Sequence, residues 1–459
     1  MDNNNEPVKS GFRQEIGVFG GVSIIGGIMI GSGIFYLGSY VLMRTNMSLG
    51  LSLLCWVIGG LISLLGGLCF AEMGASRPVA GGMVVYLSEA YHPLAGFLYG
   101  FSSLLISGSG SVSAIAVALP TAFRSFFGLS DLSIKLIACG LILALSVYNY
   151  FGVKNVSILQ NVSMMAKLIP IAIIMFSALA FGKQTPDLSL IPPTGEAVTP
   201  GQIIGMIAFA TVATLWAYEG WVTLNNVAEE MKNPQRNLPL ALIIAIGGTI
   251  ILYALFNYSI YKVLPLTDIT NMINSGDYYL GTEVAKRILG SAGASIVLVG
   301  MIISMFGSLN GMILAFPRCY YAMGDEGHFP KSFANIHPKY NIPSTAIIAQ
   351  CIISIILVLV RNLDQLTSMV VFSNMIFNAM AIGAVMMYRK KYPNLERPYK
   401  VWGYPVTVII TILIFIGLMI NTFIQDPVTA IIGLIVPVIG CFVYVYFDRK
   451  LKKENTFNS

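Results

Sequence analysis

Two short stretches of this chain have the residue types to hold a small zwitterion. The first is Gly31-Ser32-Gly33-Ile34-Phe35 and the second is Trp216-Ala217-Tyr218-Glu219-Gly220-Trp221. Both interrupt long apolar segments. Glycine inside a helix costs about 1 kcal/mol relative to alanine, and in lipid the freed N–H and C=O groups have no water to turn to. An interruption is tolerable there only where the backbone lines a cavity and something fills the freed bonds. Helix N-termini present N–H groups to anions, and helix C-termini present carbonyls to cations. A broken helix offers both a few ångströms apart, which is the charge spacing of an α-amino acid. On this reading the N–H groups of Ser32, Gly33 and Ile34 take a carboxylate. Carbonyls near Met29 and Ile30, and near Trp216 and Ala217, take an ammonium, and Gly31 is a further candidate at the same break. Trp216, beside the second break, is large enough to cover the site as a lid.

Two ionisable side chains fall inside apolar segments, where Lys or Asp costs about 2.5–3.5 kcal/mol on insertion scales. Lys167 lies about a dozen residues into its segment. Its ammonium could cap carbonyls freed by the first break, act as a proton carrier when desolvated, or snorkel to the interface. Glu219 sits within the second break. It could face a polar cavity, attract a cationic group, or bond only to nearby backbone. Glu229, Glu230 and Arg318 map to helix ends, as an inner-gate ion pair or an ordinary surface pair.

The elements that position these residues follow from composition. The chain of 459 residues is 56% hydrophobic and 10% charged, with mean hydropathy +0.76, against roughly 25% charged residues in a soluble domain. It is an all-α integral membrane protein. Twelve apolar stretches approach the length of about 20 residues needed to span a bilayer: near 15–43, 49–71, 93–121, 133–150, 155–181, 201–228, 237–262, 291–322, 343–360, 366–388, 404–424 and 427–446. They are too continuous for barrel strands. With a cytoplasmic N-terminus, 17 of the 27 Lys and Arg fall on the cytoplasmic side. The positive-inside rule therefore places both termini there. The +6 net charge is this bias and not a nucleic-acid footprint. The six cysteines lie in or at the ends of apolar spans without metal-ligand spacing. No catalytic, nucleotide-binding or metal motif stands out, so neither an enzyme nor an ATP-driven pump is indicated, and no cofactor is expected.

Residues 1–14 read as a cytoplasmic arm and 448–459 as a cytoplasmic tail around a transmembrane domain at 15–447. Within it, 15–181 and 200–388 form two repeats, separated by a proline-bearing polar loop near 182–200. Spans 11 and 12 occupy 404–447. The breaks fall in the first span of each repeat. Span 1 enters from the cytoplasm and span 6 from outside, so the five-plus-five repeat is inverted, the pattern that points to a transporter's binding site. Residues 83–91 read as an interfacial helix leading into span 3, and 279–289 as a short external helix before span 8.

The two broken-helix motifs and the run from Glu229 to Pro239 resemble the L-type amino acid transporter family of the amino acid–polyamine–organocation superfamily. Phe306-Gly307-Ser308-Leu309-Asn310-Gly311 and Arg397-Pro398-Tyr399-Lys400 are similar too. The resemblance covers about residues 12–447. It implies twelve helices, alternating access and sodium-independent transport, with the ammonium of Lys167 standing where sodium-coupled relatives place a cation and Ser308 near it. It makes Trp216 an aromatic gate and gives Val222 and Thr223 a part in shaping the side-chain pocket. Many such relatives are exchangers. Animal members carry an external cysteine between spans 3 and 4 for a heavy subunit. Residues 121–132 hold none, so a stand-alone prokaryotic type without a disulfide-linked partner is implied. Glu219 stands where relatives often have Asp or Gly.

The combined expectation is a plasma-membrane, sodium-independent exchanger of small or medium neutral L-amino acids. The alternatives are a proton-coupled symporter using Lys167, a carrier of cationic amino acids or polyamines using Glu219, and an amino acid sensor that does not transport.

Overall fold

The computed structural model describes residues 16–31, 33–78, 82–151, 167–193, 198–226, 228, 231–325, 327–340 and 342–458, with backbone alone for Ser125, Thr223, Asn226, Ala322 and 453–458. Among these residues the regular secondary structure is helical, with one isolated parallel bridge between Ile16 and Met231, joined by turns and irregular connections. Among the described residues nine helices are long and apolar enough to cross a membrane, and a bent pair makes a tenth. That pair is span 1, Val18–Met29 followed by Gly33–Arg44, turned by 53° at the first glycine motif. Two shorter apolar helices, Leu168–Phe181 and Ser344–Val360, stand where spans 5 and 9 were expected. The short helix expected near 83–91 runs Gly82–Ala90. The one expected near 279–289 is joined to span 8 through Gly290, whose φ of 71° marks the kink.

Local chemistry fixes the helix starts. Ser48 begins span 2 (Leu49–Ser76) by accepting the N–H of Leu51. Reciprocal capping boxes open span 6 (Pro200–Ala217), with Thr199 and Gln202, and span 10 (Leu363–Lys391), with Asn362 and Gln365. Each such cap satisfies two N–H groups that the first turn cannot.

Span 3 (Pro93–Thr121) is central, with 94% of its apolar window buried. Spans 4 (Asp131–Tyr150), 11 (Val406–Gln425) and 12 bury 28% of theirs, and side chains such as Ile424 and Phe442 are exposed on their outer faces. Apolar faces without a protein neighbour suit contact with lipid tails. Span 2 lies close against spans 6 and 7 (Pro234–Tyr261) through its small residues. A Cβ at Gly59 would come within 2.0 Å of the Thr214 hydroxyl, a clash only glycine avoids. Small residues at helix contacts allow such approach in membranes.

Each membrane face is tied by charge. On one face Arg44, at the end of span 1, meets Asp364 and Ser368 of span 10 at 2.8 and 2.7 Å and lies 4.1 Å from the Phe209 ring centre in span 6. On the other, the buried Glu72 of span 2 receives two parallel N–H bonds from Arg389 of span 10, at 2.8 and 2.7 Å. Its carboxylate also accepts the Val401 N–H at 2.8 Å, and Arg397 stands 3.7 Å away. The Arg397-Pro398-Tyr399-Lys400 segment is thereby fastened to the ends of spans 2 and 10. Removing one partner of a buried pair leaves the other uncompensated, at about 3–5 kcal/mol. Glu72→Ala should lower the melting temperature of the purified protein by several degrees. An unchanged melting temperature would show that the network contributes nothing net.

Candidate functional site

The first break begins with a carbonyl that loses its helical partner. The N–H of Gly31 bonds to Met29 at 2.7 Å instead of reaching back to Gly27. The freed Gly27 carbonyl accepts a hydrogen bond from the ammonium of Lys167, which directly precedes the described helix Leu168–Phe181 of span 5. The Met29 carbonyl accepts the hydroxyl of Tyr253, from span 7, at 2.5 Å. Beyond the break, Gly33 and Ile34 open a new helix whose first N–H groups have no partner within it.

The second break ends span 6 at Ala217. Gly220 has φ +130°, a conformation side-chain-bearing residues rarely adopt. The two breaks touch. A Cβ at Gly220 would meet Ile28 at 2.7 Å, and one at Gly33 would meet Trp216 at 3.0 Å and the Ala217 backbone at 3.5 Å. The Tyr253 hydroxyl joins them, since it also stands 3.1 Å from the Ala217 carbonyl. Trp56 and Tyr218 hold that tyrosine from two sides, each with its ring centre 5.1 Å away.

A cavity of about 180 Å³ opens where the breaks meet. Met29, Gly31, Gly33, Trp216, Ala217, Glu219, Val222 and Ser308 line it, together with Ile28, Gly220 and residues of spans 3, 8 and 10. Most of the residues named from sequence therefore converge. Ile30 is half-buried at the end of the first half-helix and Ile34 is buried at the start of the second. Lys167 is set back behind the break at the Gly27 carbonyl, outside the cavity lining. Ser32, Glu229 and Glu230 lie outside the described residues, and Thr223 is described by its backbone alone, at the start of the helix Thr223–Asn226. Arg318 donates to Leu314 within its own helix.

Sequence reasoning passed over Tyr253, Tyr99, Ser107, Asn374 and Asn378. Tyr253 had a signal: a lone hydroxyl inside the run Ile250–Leu255, where a buried tyrosine O–H needs an acceptor. Asn374 and Asn378 had one too, as two amides one turn apart inside an apolar span. Tyr99 and Ser107 look like ordinary helix residues until span 3 is folded around the cavity.

Comparison with known proteins gives the site a context. The profile of the amino acid permease family matches residues 16–447. The chain is 31% identical to the serine/threonine exchanger SteT of Bacillus subtilis (strain 168), over 97% of this chain and 99% of that protein. It is 32% identical to the human b(0,+)-type amino acid transporter 1, over 92% of this chain and 85% of the relative. It is 29% identical to the mouse large neutral amino acids transporter small subunit 2, over 97% and 83%.

Two substitutions test the geometry. A leucine at Gly33 would collide with Trp216 and fill the junction of the breaks, so Gly33→Leu should abolish amino acid binding while membrane insertion is retained. Normal uptake would contradict a backbone site. Lys167→Ala removes a charged hydrogen bond worth about 1.5–3 kcal/mol. It should reduce uptake by roughly ten- to a hundredfold at equal expression, whereas full activity would make the lysine incidental.

Proposed function

This chain belongs to the amino acid permease family, and we propose that it is a sodium-independent exchanger of small or medium neutral L-amino acids working by alternating access. The observation that carries the reading is the meeting of two broken helices at one cavity. The N–H groups of Ser32, Gly33 and Ile34 take the substrate carboxylate. Carbonyls near Met29 and Ile30, and near Trp216 and Ala217, take its ammonium, with Gly31 at the same break. The cavity volume, below the roughly 300–1,000 Å³ of drug-sized pockets, suits a small substrate.

Trp216 covers the bound amino acid, and Val222 and Thr223 shape the space for its side chain. Lys167 acts as a fixed cation at the first break, with Ser308 on the neighbouring span 8. An ammonium held there takes the place of a bound sodium ion, which supports sodium independence. Exchange is supported by the bacterial relative, itself named as an exchanger.

The working unit on this reading is a domain at 15–447 with inverted repeats at 15–181 and 200–388 and spans 11 and 12 outside them. It lies in the plasma membrane with both termini cytoplasmic, as the distribution of Lys and Arg favours. It acts without a disulfide-linked heavy subunit, in keeping with the absence of cysteine from residues 121–132.

A second reading, transport of cationic amino acids or polyamines, is favoured by one feature, the Glu219 carboxylate in the cavity wall. One experiment separates these readings. Purified protein in liposomes should take up labelled neutral amino acid only when the lumen is preloaded with amino acid, equally well in sodium or choline and without response to a proton gradient. Uptake into empty vesicles driven by external acid would overturn exchange, and competition by lysine or polyamines stronger than by neutral amino acids would favour the second reading.

A further inference from the structure

The helix that carries span 12 does not end with its apolar run. It extends from Pro427 to Asn458, 32 residues, about 48 Å at 1.5 Å per residue. The hydrocarbon core of a bilayer is about 30 Å thick. The last turns of the helix therefore stand in the headgroup layer, and they carry Asp448, Arg449, Lys450 and Lys452. Phe442, Tyr446 and Lys450 follow at intervals of four and so share one face. Phe442 and Tyr446 are 73% and 65% exposed, with no protein to cover them. An exposed tyrosine followed by basic residues is the composition of a membrane–water boundary.

The loop after span 8 is folded against these turns. His328 stacks on Tyr444 with ring centres 4.7 Å apart, and the Phe329 ring lies 6.3 Å from Phe447 and 4.7 Å from Phe333. Between loop and helix lies a groove of about 330 Å³, larger than the cavity of about 180 Å³ at the breaks. Phe329, Tyr446, Phe447 and Leu451 give it apolar walls, and Lys331 and Lys450 are its basic residues. No acidic side chain among the described residues lines it. Asp448, two residues before Lys450, is engaged elsewhere: it accepts from Lys452 at 2.7 Å and stands 4.0 Å from His328. Lys450 is exposed and makes no hydrogen bond or ion pair among the described residues.

We infer that this groove binds an anionic phospholipid, with the phosphate held by Lys331 and Lys450 and the glycerol and upper acyl chains against Tyr446, Phe447 and Leu451. Tyr446 belongs both to the groove and to the exposed face of span 12, so the acyl tails continue into the bilayer along that face. Lysine binds phosphate as a point charge, and each Lys or Arg near a membrane surface adds to the affinity for anionic lipid. A zwitterionic headgroup brings an ammonium of its own, which the two lysines repel. A soluble anion would meet the charges and gain nothing from the apolar walls. On the topology proposed above this is the cytoplasmic leaflet, whose surface carries the anionic lipids, yet the groove's charges and walls are the same on either side. A lipid seated here ties the loop after span 8 to span 12.

The test titrates the purified, delipidated full-length protein in detergent with dioleoylphosphatidylglycerol, with dioleoylphosphatidylcholine and with inorganic phosphate. Bound lipid is read by native mass spectrometry, and its effect by the melting temperature. Wild type should hold one phosphatidylglycerol about thirtyfold more tightly than phosphatidylcholine, two basic contacts at about fivefold each, and should melt higher with it. Lys450→Ala should weaken phosphatidylglycerol about fivefold, and Lys331→Ala combined with it should bring the two lipids level. Lys450→Arg should keep the preference. Lys390→Ala, at the exposed end of span 10 and outside the groove, removes the same charge and should change nothing. Equal affinity of wild type for the two lipids would overturn the inference. So would an equal loss in Lys390→Ala, which would reduce the site to diffuse attraction. Inorganic phosphate raising the melting temperature as much as phosphatidylglycerol would overturn the lipid as occupant. Amino acid exchange is measured separately, in phosphatidylcholine vesicles, so failure here leaves the transport reading standing.

Discussion

Backbone polar groups cannot go unpaired in a bilayer, and everything at the centre of this molecule follows from that constraint. Breaking spans 1 and 6 frees carbonyls and N–H groups where no water competes for them. The Gly27 carbonyl is taken by Lys167, and the carbonyls of Met29 and Ala217 share Tyr253. A phenolic hydroxyl carries one proton, so it serves one of those two carbonyls fully and leaves the other acceptor short. The second half of span 1 opens beside them at Gly33, where a Cβ would lie 3.5 Å from the Ala217 backbone, and the first N–H groups of a helix have no partner within it. Donors at a helix start beside acceptors at a helix end are the arrangement that the proposed zwitterion site calls for.

The surrounding helices make that unsatisfied backbone affordable. Glycine at 33 and 220 lets the breaks touch, and glycine at 59 lets span 2 close on span 6 behind them. The ion pairs lie at the ends of the spans, Arg44 with Asp364 on one face and Glu72 with Arg389 and Arg397 on the other. Ion pairs thus hold the rims, while the centre is held by the Lys167 ammonium, single hydrogen bonds and aromatic contacts. That division leaves the middle of the protein adjustable and its ends fixed, a suitable arrangement for a site that must face two sides in turn.

Much of this was legible in the sequence. The glycines at 31 and 33 and the stretch around Glu219 announce broken helices because apolar spans rarely carry such residues without use. Lys167 announces itself by its insertion cost. Tyr253, Ser107, Asn374 and Asn378 were harder. Tyrosine, serine and asparagine are tolerated in membrane helices for packing and for bonding to their own backbone. Which of them faces the site depends on how spans 3, 7 and 10 rotate around it. The π-turn at Ser103–Ser107 shows why: it re-aims span 3 by one residue, and no periodicity in the serine-rich run from Ser102 to Ser113 states where that shift falls. The two breaks were therefore readable from local sequence, and which residues of spans 3, 7 and 10 face the cavity required the fold.

The most direct measurement is an experimental structure of the protein with a neutral amino acid bound. The substrate carboxylate should lie within hydrogen-bonding distance of the Gly33 and Ile34 N–H groups, with its ammonium against the carbonyls at Met29 and Ala217. An amino acid bound elsewhere, or held in this cavity by side chains with both breaks untouched, would contradict the claim that the broken backbone is the binding site.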